Sequence, residues 1–302
     1  MNDLPDYISE EALRRFVKDA LAEDVGSGDI TTEAVVDETV LAEGQCLARE
    51  DGILAGLAMA EYVFSTVDEC IRCSWKCEDG EAIRAGAPFG TAHGPAQGLL
   101  VAERLVLNLM QRMSGIATLT HRFVDAVKEF PVQIMDTRKT APGLRLLDKW
   151  AVRLGGGTNH RLGLHDMFLI KENHIAAAGG VAQALRAADR HRREQGLPAL
   201  IEVETRTLDE VREVLRAGCA DRILLDNMVD LSGDGSGGNR IDVSRLREAT
   251  TLIDGRIPTE ASGNVTLDTV RAIAETGVQY ISCGALTHSV KALDISLQLR
   301  MV

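Results

Sequence analysis

Between Gly155 and His174 the chain reads GGGTNHRLGLHDMFLIKENH, with polar and cationic side chains at both ends of a short apolar run. Three glycines lead into Asn159, His160 and Arg161, and the run MFLI leads into Lys171, Asn173 and His174. Arginine pairs bidentately with carboxylate or phosphate and lysine acts as a point charge, so these residue types point to a strongly anionic ligand. The glycines let a ligand approach the backbone beside His160 and Arg161. Lys171 closes an apolar strand, where an unpaired ammonium would be costly and a bound anion offsets the cost. His174 reads equally as a ligand or as a hydrogen-bonded scaffold residue. Zinc held by His160, His165 and His174 fails on spacing, since there is no HExxH pattern or cysteine cluster beside them.

Other candidate groups recur at the ends of short apolar runs. VQIMDTRK, DMFLIKEN, LIEVET, RILLDN, PTEASGN and YISCGA bring Arg138 and Lys139, Lys171 and Asn173, Glu202 and Glu204, Asp226 and Asn227, Ser262 and Asn264, and Ser282 with Gly284. Glu202 and Asp226, set among cations, suit ribose hydroxyls or a magnesium ion, which favours one or two carboxylates plus substrate phosphate. EASGNVTLDTV and SCGALTHS place small residues just before a helix, a pattern suited to phosphate. Arg145, Lys149 and Arg153, at i, i+4 and i+8, read as a solvated helix face or a subunit contact.

The elements that must position these groups follow from the periodicity. Each apolar run is followed by an amphipathic segment: TLDEVREVLRAG has a capping box (Thr207 with Glu210) and Gly218 as its stop, and TLDTVRAIAETG repeats the pattern with Leu267, Val270, Ile273 and Gly277. Six strand-then-helix units imply parallel strands in a closed or nearly closed α/β barrel, whose site lies at the C-terminal strand ends. No GxGxxG or GxxxxGK[ST] phosphate loop supports a doubly wound alternative. Upstream, 9–24 reads as a helix with Ser9 as N-cap, and GILAGLAM, CIRCSWKC and APFGTA as short strands. From Gln97 to Phe130 the helical period returns, so the first part of the chain is a small α+β layer.

The 302 residues are 45% hydrophobic with a net charge of -12, enough apolar content for one large core or two smaller ones. That charge argues against nucleic acid or an anionic membrane as partner. Asp136 to His174 nonetheless carries seven Lys or Arg against four acids, a local +3 within an acidic chain. The acidic start MNDLPDYISEEALRRF and the lack of an apolar run of ~18 residues predict a cytoplasmic protein with no membrane span. The six cysteines read as reduced thiols; Cys70, Cys73 and Cys77 resemble half a zinc site but lack a partner pair.

DTRKTAPGLRLLDKWAVRLGGGTNHRLGLHDMFLIKENHI closely resembles the signature of the quinolinate phosphoribosyltransferase family. The match continues through AERLVLNLMQRMSGIAT, IEVET, ILLDNM, EASGNV and ISCGALTHSVKALDISL, most of the chain in order. The resemblance implies a type II phosphoribosyltransferase-like architecture: an N-terminal α+β sandwich at 1–130, with a C-terminal helix at 290–302 returning to it, and an incomplete α/β barrel at 131–289. It also implies a homodimer with a shared active site, open to further assembly, in which one subunit's N-terminal domain closes the other's barrel. The implied reaction converts quinolinate and phosphoribosyl pyrophosphate to nicotinate mononucleotide, pyrophosphate and carbon dioxide in NAD synthesis. Mg2+ is the implied cofactor, and no organic cofactor or obligatory protein base is needed.

Residue by residue, the resemblance assigns quinolinate to Arg104, Thr137, Arg138, His160 and Arg161, with Lys171 near both substrates. Phosphoribosyl pyrophosphate falls to Lys139, Asn173, His174, Ser262, Gly263, Asn264, Ser282, Gly284 and Ala285. Glu202 and Asp226 match the ribose and magnesium carboxylates, directly or through water, and Lys139, Lys171, Glu202 and Asp226 form the expected catalytic set. Arg104 lies in the N-terminal helix region, so domain or subunit packing must deliver it.

There are departures from the family pattern. Glu172 stands where the family often has aspartate, which keeps the charge and lengthens the reach. LSGDGSGGNR, 231–240, reads as a mobile surface insertion with no catalytic part. Two other functions fit parts of the same pattern: a paralogous phosphoribosyltransferase with another acceptor, which tends to lose parts of LIKENH, and a non-catalytic phosphoribosyl pyrophosphate sensor. The intact quinolinate cations and phosphate motifs speak against both.

Overall fold

A computed structural model describes residues 4–233 and 239–302 and divides the chain into two compact units. One comprises Met1–His121, Thr140–Gly156 and Leu286–Val302; the other comprises Arg122–Lys139 and Gly157–Ala285. No helix among the described residues is long and apolar enough to cross a membrane. The glycine-rich centre of the 231–240 insertion lies outside the described residues. Its flanks, Asp230–Gly233 and Asn239–Asp242, form a two-stranded antiparallel ladder.

The first unit is built on a four-stranded antiparallel sheet in the order Ile295–Met301, Leu41–Ala48, Pro88–Pro95, Arg72–Trp75. Leu41–Ala48 alternates exposed and buried positions, so Ala42, Cys46 and Ala48 all face inward. At Gly90 a Cβ would lie 2.1 Å from Trp75 Cε3, so only glycine lets the indole lie on the neighbouring strand. The helix Glu10–Val25 is capped by the Ser9 hydroxyl, which accepts the Ala12 N–H at 3.2 Å.

The expectation of a strand at GILAGLAM holds only for Gly52–Ile53; Leu57–Val67 is a helix. Its start has no local side-chain cap. Instead the Asp79 carboxylate accepts the N–H groups of Gly56 and Leu57 at 2.7 and 3.0 Å, a cap from 22 residues downstream of Leu57.

The C-terminal helix expected at 290–302 is also corrected. Ile295–Met301 is a strand, paired antiparallel with Leu41–Ala48 from Ala48↔Ile295 to Ala42↔Met301. ISLQLRM alternates with period two and buries Ile295 and Leu297, a pattern that a strand uses and a helix does not. The first unit further takes in the helix Arg145–Leu154, inside the stretch assigned to the barrel. Arg112 on the helix Ala96–Ala126 holds Asp148 in a bidentate pair at 2.7 and 2.8 Å, and a Cβ on Gly155 would lie 2.4 Å from the Ala117 carbonyl. Arg145, Lys149 and Arg153 do not form a solvated face: Lys149 is wholly buried, Arg145 half-buried, and only Arg153 exposed.

The second unit is an open sheet of six parallel strands in the order Gln133–Met135, Tyr280–Ser282, Thr259–Ser262, Arg222–Asp226, Ile201–Thr205, Phe168–Ile170. The two end strands are not paired with each other, so this is an incomplete α/β barrel. Ile201–Thr205 is buried along its whole length, as a strand covered on both faces must be. The helix Leu208–Ala217 follows with the expected Thr207–Glu210 capping box and ends at Gly218 in the left-handed region. Its counterpart Val270–Ala274 is shorter than its pattern, and Leu267 is exposed. The registers Ser262↔Asp226 and Ser262↔Ser282 align the strand ends, so residues distant in sequence share one rim.

Candidate active site

A cavity of about 540 Å3 opens at those C-terminal strand ends, within the size range of small-molecule sites. Thr137, Arg138, Lys139, His160, Arg161, Lys171, Asp226, Ser262, Gly263 and Ser282, all expected at the site, line it. Glu204, Arg206, Asn227 and Glu260 line it as well.

The cationic wall depends on one buried carboxylate. Asp136, at the end of the strand Gln133–Met135, accepts the His160 backbone N–H at 2.9 Å and the Asn159 side-chain amide at 2.6 Å. It thereby ties the loop carrying Arg138 to the loop carrying Arg161. Burial, and after it the charge of Arg138, holds the Arg161 guanidinium below its ordinary pKa. Arg138 Nε is buried with no hydrogen-bond partner. Two like charges lining one cavity form a receptor for an anion such as a carboxylate.

His160 is 8% exposed and has both ring nitrogens occupied by the protein. Nδ1 accepts the Arg161 N–H at 2.7 Å, which leaves the proton on Nε2. Nε2 lies 3.1 Å from Glu202 and 3.5 Å from Glu260. The Glu202 approach is a close polar contact, and neither Glu202 oxygen has a hydrogen-bond partner. Arg222 stands 3.4 Å from Glu260 and 4.0 Å from Glu202, with its guanidinium 4.0 Å from the centre of the Tyr280 ring. Burial first, then the charge of Glu202, pushes Glu260 up to about 8, while burial raises Glu202 against the pull of Arg222. Burial and the neighbouring carboxyl both favour the protonated form of Glu260. His160, Glu202 and Glu260 are the one group of three or more possible metal ligands lying close together among the described residues. Arg222 supplies the positive charge that such a set would otherwise seek from a cation.

The expected place of Glu202 at the mouth is therefore corrected. Glu202 and Glu204 point to the same side of one strand, two residues apart, and the register Glu202↔Arg222 sets Glu202 one layer deeper. Glu202 is wholly buried and does not line the cavity; Glu204 and Asp226 do. Burial and then the nearby Asp226 raise the Glu204 carboxyl above its ordinary pKa. Arg206 bridges this pair, 3.1 Å from Glu204 and 3.3 Å from Asp226, and also contacts Glu172.

Across the mouth, Gly263 has φ +88°, and a Cβ there would lie 2.1 Å from Asn227 Oδ1, so the rim closes only around a glycine. Asn264, also at positive φ, donates from its amide to the Val229 carbonyl at 2.9 Å and does not line the cavity. Asn173, Gly284 and Ala285 are likewise outside the lining. His174, outside the cavity lining, accepts the Lys171 N–H at 3.0 Å and so braces the turn that presents Lys171. Arg104 stands exposed on the helix Ala96–Ala126, in the other unit. Burial above all pushes the Cys46 and Cys73 thiols up to about 12, far from a reactive thiolate.

Glu204 stood beside Glu202 among the strand-end groups read from the sequence; period-two alternation could also have picked out Glu260 as the inward-facing partner of Ser262. Arg206 follows its strand, and only the folded loop shows where its side chain turns.

Comparison with known proteins identifies the family. Family models for the quinolinate phosphoribosyl transferase N-terminal and C-terminal domains match residues 29–114 and 116–298. A tobacco (Nicotiana tabacum) protein named quinolinate phosphoribosyltransferase (decarboxylating) 2b, mitochondrial, is 53% identical over 95% of this chain and 82% of its own length. A Bacillus subtilis (strain 168) protein named probable nicotinate-nucleotide pyrophosphorylase (carboxylating) is 42% identical over 96% of this chain and 94% of its own length. The crystal structure of NadC from Streptococcus pyogenes superimposes with a TM-score of 0.88 at 36% identity, covering 99% of this chain and 100% of that one. With the models spanning nearly the whole chain, this protein belongs to the quinolinate phosphoribosyl transferase family.

Proposed function

We propose that this chain converts quinolinate and phosphoribosyl pyrophosphate to nicotinate mononucleotide, pyrophosphate and carbon dioxide, a step of NAD biosynthesis. The observation that carries this is that Arg138 and Arg161, close enough to repel, line one cavity together with Glu204 and Asp226. Such a cavity suits a dicarboxylate beside a phosphorylated sugar.

In this reading Arg138, Arg161 and Lys171 hold the two carboxylates of quinolinate, and His160 fixes the floor beneath the ring. Lys139, whose N–H is held by the Thr137 hydroxyl at 3.0 Å, meets the phosphates together with the rim at Ser262 and Gly263. The pyridine nitrogen attacks C1 of the ribose as the bond from C1 to the pyrophosphate oxygen breaks. Alignment of the two reacting atoms and neutralisation of the departing pyrophosphate supply most of the acceleration. The ring nitrogen, now quaternary, then accepts the electron pair released when the 2-carboxylate leaves as carbon dioxide, and the ring carbon takes a proton from water. No protein base is required.

Glu204 and Asp226 offer two carboxylates on an open wall, a hard-oxygen donor set that fits Mg2+ better than the sealed Glu202 does. Magnesium bound there would neutralise charge on the pyrophosphate. A homodimer belongs to the same reading, in which Arg104 of one chain, exposed on the helix Ala96–Ala126, serves the barrel of its neighbour. The test is direct: purified protein with quinolinate, phosphoribosyl pyrophosphate and Mg2+, followed for nicotinate mononucleotide and released carbon dioxide. No product from quinolinate removes the proposal.

A further inference from the structure

Arg206 is bonded to three carboxylates from three different strand ends. Its guanidinium lies 3.1 Å from Glu204 and 3.3 Å from Asp226 and also contacts Glu172, which follows the strand Phe168–Ile170. Glu204 and Asp226 are nearly covered, at 9% and 16% side-chain exposure, whereas Arg206 is 44% exposed. The acids are therefore fixed parts of the wall and the arginine is the movable partner.

The backbone supports that division. The Arg206 N–H is held by the Glu210 carboxylate at 2.7 Å, and the Thr207–Glu210 capping box locks the residues that follow. The anchor lies wholly in the main chain, so the side chain can swing out without loosening the helix Leu208–Ala217.

We propose that Arg206 is a resident counter-ion of the Glu204 and Asp226 subsite, which a divalent cation must displace to bind there. The inference rests on the reading of those two carboxylates as the metal subsite. Arg206 faces and orients the two acids while the site is empty of substrate. When the cation arrives, the guanidinium leaves the acids and becomes free to meet an anion at the same mouth. Arg206 is in this sense a positioning residue, one that also sets how readily the metal enters. Glu172 holds the outer edge of the same guanidinium, which gives its longer side chain a structural role at the rim.

Mn2+ serves as the probe, with free ion counted by electron paramagnetic resonance in titrations of the full-length protein without substrates. Arg206→Ala should bind Mn2+ about fivefold more tightly than the unaltered chain, the scale of a partly exposed ion-pair network. Arg206→Lys, which keeps a cation of similar length, should return the affinity toward the original value, and Asp226→Asn should weaken it. Unchanged or weaker binding in Arg206→Ala, with a loss in Asp226→Asn, overturns the displacement while leaving the metal subsite standing. Unchanged binding in Asp226→Asn removes the subsite itself, and the displacement with it.

Discussion

The imidazole Nε2 of His160 lies 3.1 Å from a carboxylate oxygen of Glu202, with the two side chains 6% and 0% exposed. A charge placed there steers the ring and does not meet a substrate. Glu202→Gln keeps the shape and removes that charge. It should lower kcat/KM for quinolinate by about 1 to 3 kcal/mol, the cost of weakening a buried charged contact. KM for phosphoribosyl pyrophosphate should hardly move. If the loss falls on phosphoribosyl pyrophosphate and on the magnesium dependence instead, Glu202 acts at the mouth after all.

Arg138 carries the buried Nε without a partner, so its truncation removes a donor positioned for a ligand. Arg138→Ala should cost about 2 to 4 kcal/mol in kcat/KM for quinolinate, and Arg138→Lys should recover only part because lysine lacks the bidentate fork. Steady-state kinetics that find the specificity constant unchanged would place the guanidinium away from the substrate.

Glu260 gives the stability a pH slope of calculable sign. Its carboxyl titrates near 4.5 in an unfolded chain and at about 8 in the fold, chiefly because of burial. Between those values the native state keeps a proton that the unfolded state has lost, so this group makes stability fall as pH rises, levelling off above about 8. Glu260→Gln is neutral throughout and should flatten that part of the profile, gaining on the original chain from pH 5 to pH 9. Denaturant midpoints across that range check it, and parallel profiles would show that Glu260 is ionised in the fold.

Shared sites in a dimer make a separate prediction. Arg104→Ala and Arg138→Ala should each be nearly inactive alone. Mixed after reversible dissociation, they should regain about a quarter of full activity, because random hybrids carry one intact site. No recovery after mixing, with hybrids verified by mass, would mean that Arg104 serves its own chain or none.

The pair of Arg112 with Asp148 holds a wholly buried carboxylate. Arg112→Leu should destabilise the fold by about 3 to 5 kcal/mol, since it leaves that charge uncompensated, and adding Asp148→Leu should return much of the loss. Urea unfolding of the three proteins measures it, and a double variant no more stable than the single one argues against the pairing.

Much of the barrel was legible in the order of residues because parallel strands and amphipathic helices have different periods. VQIMDTRK, LIEVET and RILLDN declared both their strands and the polar residues at their ends. The same local rules failed where a distant group decided the outcome. Leu57–Val67 is helical with Asp79 as its cap, and Ile295–Met301 is extended because Leu41–Ala48 pairs with it. Lys149 looked like a member of a solvated stripe until its helix was buried against the first unit's core.

The sequence alone determined the set of cations and the succession of strands that carries them to one rim. These are properties of side-chain type and short-range period. Gly155, expected to make room for a ligand, instead packs against the Ala117 carbonyl. Only the tertiary structure decided depth: that Glu202 supports His160 from below, that Glu204 takes the place at the mouth, and that Arg206 folds back on it. Alternation along a strand says which face a residue occupies. The register between strands and the tilt of an incomplete barrel set how far along the axis it stands, and with it whether a carboxylate meets solvent, a ligand or another side chain.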